Sequence, residues 1–216
     1  MLFPIHHDML DTLIITVDNA LRTLCPGNNC VAQRPSPAQA LPEPQLSEAE
    51  RKLAGRLLRV DHAGEVCAQA LYAGHALTAR DAELRTVMCE AATEENDHLV
   101  WCAERLDALV THPSYLNPLW YLGALSLGVV SGLIGDKWSL GFVAETERQV
   151  IRHLDDHLVR LPEADTKSRL VLQQMRIDEA QHQTAAEQQG AVAFSRPVKW
   201  LMKVASRVMT RTAFWV

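Results

Sequence analysis

The feature that most constrains the fold is a spacing of acids and histidines that occurs twice. A lone Glu65 precedes Glu95-x-x-His98, and a lone Glu147 precedes Glu179-x-x-His182 at almost the same interval. Residues i and i+3 share one helix face, so each Glu-x-x-His can aim a carboxylate and an imidazole at one ion. A single match of this kind is weak. The register makes it stronger: Glu65 corresponds to Glu147, Glu95 to Glu179 and His98 to His182, which reads as the duplication of a two-helix unit. Two antiparallel copies would enclose two ions. One Glu from each of two helices, with Glu-x-x-His from each of two others, is the ligand set of ferritin-like di-iron and di-manganese bundles.

The neighbours of these residues separate ligand from bystander. Glu147 shares its face with Val143, Val150, Ile151, Leu154 and Leu158, whereas Glu145 keeps company with Arg148, Gln149 and Arg152 and is expected to face water. Glu95 lies on a stripe with Met88, Ala91, Ala92, Leu99 and Cys102, and Glu179 on one with Leu172, Met175 and Ala186. Four inward carboxylates need compensation, because a buried unpaired charge is very costly. Two divalent cations supply it. Glu65 is the least secure of the set, since Asp61 and His62 share its face. Glu94 and Asp178, each four residues before a histidine, are candidates for orienting the imidazoles. Oxygen-rich ligation with two imidazoles suits iron or manganese, with iron favoured if the chemistry uses O2; zinc stays open on ligands alone.

The rest of the chain reads as helices. Ser47-Glu48-Ala49-Glu50 has capping-box form, so a long helix follows to about Leu77. Others are expected over about Ala82–Leu109, within 119–135, from Ser139 to before Pro162, and over about Asp165–Gly190. No stretch alternates as a strand does. The fold class is therefore all-α, a ferritin-like bundle over residues 47–192. Ahead of it, Ile5, Leu10, Leu13, Ile14, Val17, Leu21 and Leu24 mark an amphipathic arm over 1–24. Half of the ten prolines fall between Cys25 and Leu46, an extended linker.

Two segments point to a membrane surface. Residues 108–135 contain no Asp, Glu, Lys or Arg. Pro113 and Pro118 leave only 119–135 as continuous helix, at the lower limit for a span, so lying in the interface or packing in the bundle competes with crossing. From Ser195 to Val216 the chain has Arg196, Lys199, Lys203, Arg207 and Arg211 and no acid, which leaves a net −10 on residues 1–194 out of −5 overall. Trp200, Leu201, Val204, Val208 and Trp215 interleave those charges as in an interfacial helix on anionic lipid. A surface helix packed on the body is the competing reading. The acidic total argues against a nucleic-acid partner. Five cysteines without CxxC spacing suggest neither a disulfide framework nor a thiolate zinc site. The N-terminal residues carry no secretory or organellar targeting pattern.

Leu58-Arg59-Val60-Asp61-His62-Ala63-Gly64-Glu65, taken with Glu95-x-x-His98, Glu147 and Glu179-x-x-His182, closely resembles the demethoxyubiquinone hydroxylase (Coq7-type) family over about residues 47–192. The Pro-linked arm and basic tail look like its bacterial branch. The resemblance implies Glu65, Glu95, His98, Glu147, Glu179 and His182 as ligands of two iron ions, and hydroxylation of a polyprenyl methoxy-benzoquinone with O2 in ubiquinone biosynthesis. Such a substrate lives in the bilayer, so peripheral attachment at the cytoplasmic face of the cell membrane is expected. The chain has no G-x-G, so the two electrons must come from an external reductant, a partner reductase or bound quinone. Other proteins of the ubiquinone pathway are further candidate partners. His153 is a candidate for electron or proton transfer, although a lone helix histidine more commonly faces water. Two rivals share the ligand set or the helices: a ferritin-like iron oxidase or storage unit, and a non-enzymatic membrane-associated helical protein.

Overall fold

A computed structural model describes residues 9–24 and 31–216, with side chains described from Ile14 onward in the first of these segments. Ile5, Cys25, Pro26 and Cys30, and the side chains of Leu10 and Leu13, lie outside the described residues. Among those described there are seven helices and no strand: α1 (Met9–Leu24), α2 (Glu48–Thr78), α3 (Ala82–Ala108), α4 (Asn117–Ile134), α5 (Asp136–Arg160), α6 (Thr166–Gln188) and α7 (Arg196–Trp215).

Local chemistry sets the ends of the helices. At α2 the Ser47 hydroxyl accepts from the Glu50 N–H (3.3 Å), and the Glu50 carboxylate accepts from the Ser47 N–H (2.9 Å), the expected capping box. Asp81 caps α3 through the Glu83 N–H, and Asp165 caps α6 through the Ser168 N–H. Gly135 makes the one-residue corner between α4 and α5 at φ +149°, a backbone region other residues rarely adopt.

The duplication seen in the sequence becomes two hairpins, α2 with α3 and α5 with α6, joined where α3 meets α6 and α2 meets α5. Leu57, Leu58, Trp101, Leu106, Leu154, Leu172 and Met175 fill one end of the bundle, and Tyr72, Met88, Leu140, Val143 and Ala186 the other. The metal-ligand candidates lie on the faces that these two clusters share.

The charge-free α4 packs lengthwise on α2. A Cβ on Gly128 would sit 2.5 Å from the Leu71 carbonyl oxygen, so only glycine permits this close a crossing. The opposite face is bare: Leu119, Leu122, Leu127, Val130, Leu133 and Ile134 are all exposed. Among the described residues α4 is the one helix long and apolar enough to cross a membrane, with 28% of it buried in the protein. The basic tail forms α7, which lies on α2 through Met209, Ala213 and Phe214 while Trp200, Leu201, Val208 and Trp215 stay exposed. The surface packing expected of the competing reading is thus present on one face of α7, and the opposite face is exposed.

Residues 31–46 contain no helix, but they are strapped across the bundle. Asp97 accepts from the N–H groups of Gln33 (2.6 Å) and Arg34 (3.2 Å), Ala38 is buried in the core, and Glu43 pairs with Arg105 at 2.8 Å.

Candidate metal centre

α2, α3, α5 and α6 bring all six candidate ligands to the middle of the bundle. Glu65, Glu95, His98 and Glu179 form one quartet, and Glu95, Glu147, Glu179 and His182 a second; in each, the ligand atoms lie within 4.8 Å of one another, and every member is buried apart from a sliver of His182. Glu95 and Glu179 belong to both quartets. Each potential ion therefore has one Glu and one His to itself and shares two carboxylates with its neighbour. The two helices carrying Glu-x-x-His supply the shared pair, and the two carrying a lone Glu supply the terminal carboxylates.

The unsatisfied atoms point the same way. His98 Nδ1 lies 3.3 Å from Glu95 and 3.3 Å from Glu179, and His182 Nδ1 lies 3.1 Å from Glu95 and 3.5 Å from Glu179. Yet both Nδ1 atoms, both Glu95 oxygens and one oxygen each of Glu65 and Glu179 are buried without a hydrogen bond. Buried polar atoms are normally paired. A cluster of acceptors converging without donors is what a cation site requires, and these residues fit a pair of divalent metal ions.

The far edges of the imidazoles are held crosswise. The Nε2–H of His98 donates to Asp178 Oδ2 (3.0 Å), and that of His182 donates to Glu94 Oε2 (2.8 Å). Each carboxylate orients the histidine of the other motif. Asp178 is fixed in turn by Gln174 (2.8 Å) and by Arg34 of the strap (3.0 Å), which also grips Asp97 at 2.9 Å. Although burial opposes it, bonds from His98, Arg34 and Gln174 hold the Asp178 carboxyl down at about 2, so it accepts as an anion. Such partners typically contribute 10–100-fold in metal affinity. Arg34→Ala is therefore expected to weaken metal binding by about tenfold or more, read by competition with a chromophoric chelator; unchanged affinity would count against the strap's role.

Without metal the cluster must hold protons. Burial drives Glu65 and Glu147 well above the ordinary carboxylate range, against a partial pull from His98 and His182 respectively. Glu95, also penalised by burial, is nevertheless held well below it by His182 and His98. Both imidazoles are raised despite burial, His182 to about 12, because carboxylates surround them. The Tyr72 hydroxyl donates to Glu147 Oε1 at 2.9 Å and fixes that terminal carboxylate.

The sequence does not single out Tyr72, though it lies two turns after Glu65 on the same helix face. Arg34 carries no local signal, since its partners Asp97 and Asp178 sit far along the chain on α3 and α6. Of the residues sharing Glu65's face, His62 lies against Asn117 (3.4 Å) and Asp61 against His153 and His157, so neither enters the cluster. Glu145 corrects the expectation of a water-facing carboxylate: it is buried, paired with Arg148 (2.6 Å) and with Lys199 of α7 (3.2 Å). The neighbours on its own helix give no sign that the tail lies over it.

A cavity of about 650 Å³ opens beside the centre between α2, α4, α5 and α7. Asp61, Glu65, Leu71, Trp120, Phe142 and His153 line it, together with Leu127 of α4 and Leu201 of α7, both of which are also exposed at the surface.

An all-α bundle presenting a duplicated Glu and Glu-x-x-His set to one interior point defines the class: a ferritin-like protein with a carboxylate-rich centre that could hold metal. The family model described as Ubiquinone biosynthesis protein COQ7 matches residues 52–213, and the chain belongs to that family. Its relatives include a 3-demethoxyubiquinol 3-hydroxylase of Nitrosococcus oceani, 54% identical over 96% of each chain. Proteins of the same name from Variovorax paradoxus (54% identical, covering 94% of this chain and 97% of the relative) and Azotobacter vinelandii (51%, 97% of each) are similar.

Proposed function

We propose that this protein is an O2-dependent di-iron monooxygenase that hydroxylates the ring of a polyprenyl methoxy-benzoquinol, the demethoxyubiquinol of its relatives' names, in ubiquinone biosynthesis. Glu65, Glu95, His98, Glu147, Glu179 and His182 hold two iron ions. The observation that carries this reading is the convergence of those six side chains beside a cavity large enough for a substituted ring. Iron held there would supply O2 activation. The chain's own residues do the remainder. Glu95 and Glu179, which belong to both quartets, would serve both ions, Asp178 and Glu94 fix the imidazole faces, and Tyr72 restrains Glu147. The walls of the cavity seat the ring beside Glu65 and exclude bulk water, while the prenyl chain leaves past Leu127 and Leu201. One oxygen atom enters a ring C–H bond and the other leaves as water, so two electrons and two protons are consumed, the electrons from an external reductant.

Incubating full-length protein with reduced polyprenyl methoxy-quinol, a chemical reductant and oxygen-18 gas tests this. Ring-hydroxylated product carrying one labelled atom is expected; unlabelled product or none would overturn the assignment.

The same reading makes the protein peripheral to the cytoplasmic face of the cell membrane. Leu127 of the bare α4 face and Leu201 of α7, a helix that also exposes Trp200, Trp215 and basic residues, line the cavity, so a lipid-borne substrate would enter without crossing water. The full-length protein is expected to sediment with vesicles containing anionic phospholipid, and the double change Leu122→Asp with Leu133→Asp is expected to reduce the bound fraction several-fold. Equal sedimentation of the two proteins would contradict it.

A further inference from the structure

One turn before Glu65 on α2, a smaller constellation repeats the pattern of the six ligands. Asp61 of α2 points at His153 and His157 of α5, and the di-iron reading uses none of the three. We propose that Asp61, His153 and His157 bind one further divalent first-row transition cation, with its open coordination position turned toward the cavity.

His153 and His157 are four residues apart on one helix, the spacing at which two imidazoles of a metal-binding helix meet one ion. Asp61 Oδ1 lies 2.8 Å from His157 Nδ1 and 3.6 Å from His153 Nε2. Nitrogen and oxygen ligands about 2.0–2.1 Å from a shared ion stand roughly 3 Å apart, as these do. The contacts do not have hydrogen-bond alignment: Oδ1 and Oδ2 of Asp61, Nε2 of His153 and Nδ1 of His157 are all buried without a hydrogen bond. The Nδ1 atoms of His98 and His182 show the same close but unpaired approach to carboxylates.

Electrostatics agree with the geometry. Burial, and then the neighbouring His157, push the His153 imidazole down to about 4, so its lone pair is free at neutral pH. Asp61 and His157 are buried, and a divalent ion between them would place positive charge among their unpaired atoms. Asp61 and His153 both line the cavity, which leaves that charge facing an incoming oxygen ligand such as water, hydroxide or an ionised phenol. Two histidines and one carboxylate with an open position is a set used by iron(II) and, with three protein ligands, by zinc.

The test uses the full-length protein, stripped with chelator, reloaded with zinc(II), freed of loose metal and analysed for zinc per chain. Wild type should exceed Asp61→Asn and His153→Ala by about one zinc each, with helical circular dichroism unchanged. Glu179→Ala should lose zinc from the other site and still lose one more when combined with His153→Ala. If Asp61→Asn does not fold, His153→Ala, on the partly open cavity wall, decides alone. Equal zinc in wild type and His153→Ala would overturn the proposal, whatever the total. A deficit in His153→Ala with none in Glu179→Ala would overturn the six-ligand assignment while leaving this site standing.

Discussion

Glu179→Ala is expected to strip the centre of both metals and to abolish turnover. Glu179 belongs to both quartets, so its loss removes a quarter of the protein ligands from each site at once. It would also remove one of the four carboxylates whose charge two divalent ions would balance. Glu65→Ala and Glu147→Ala each touch one quartet only and should leave a partly loaded protein. Metal per chain, measured alongside product formation, gives the ordering directly. A Glu179→Ala protein that retains wild-type metal and hydroxylates its substrate would refute the ligand assignment.

The second large effect is a pH dependence of stability that appears when metal is removed. In the metal-free protein, Glu65, Glu147, His98 and His182 all have raised values, so the folded state holds protons that the unfolded state releases. Their stabilising contribution is complete below the unfolded values and is lost as pH rises through the folded ones. His62, His75 and His153, pushed down to about 4 by burial, act with the opposite sign. Their effect is confined to pH below the unfolded histidine value, roughly 6.5. Between pH 7 and 9 His182, raised to about 12, keeps its proton in the folded state while the unfolded chain has released it, so this group alone lowers stability by about 1.4 kcal/mol per pH unit. The stripped protein should melt at progressively lower temperature over that range. Metal replaces those protons, so the loaded protein should hold its melting temperature, and the gap between the two should widen with pH. Parallel melting curves across pH 7–9 would show that the protons and the metal do not compete for one site.

The helices and the convergence of the six candidate ligands are legible in the sequence because both depend on short-range periodicity. Glu-x-x-His fixes a face within one turn, apolar stripes fix which face is inward, and Ser47 with Glu50 announces where α2 begins. What stays hidden depends on pairs far apart in the chain. Asp178 and Glu94 read as orienting residues, but that each serves the other motif's histidine follows only from antiparallel hairpins. Glu145 reads as solvated because the cation that covers it, Lys199, belongs to a helix two elements further on. Arg34 gives no signal at all, since a strap without periodicity reads only as proline-rich chain. His153 looks solvated when taken singly; paired with His157 at i+4 it carries a pattern that needs Asp61, on another helix, to become a constellation.

The decisive quantity is iron per chain in protein that is actively forming hydroxylated quinol. About two irons are expected, lost together with activity on chelation and regained together on reloading with iron(II). A folded protein that hydroxylates its substrate with no bound iron, or that binds iron only at its surface, would contradict it.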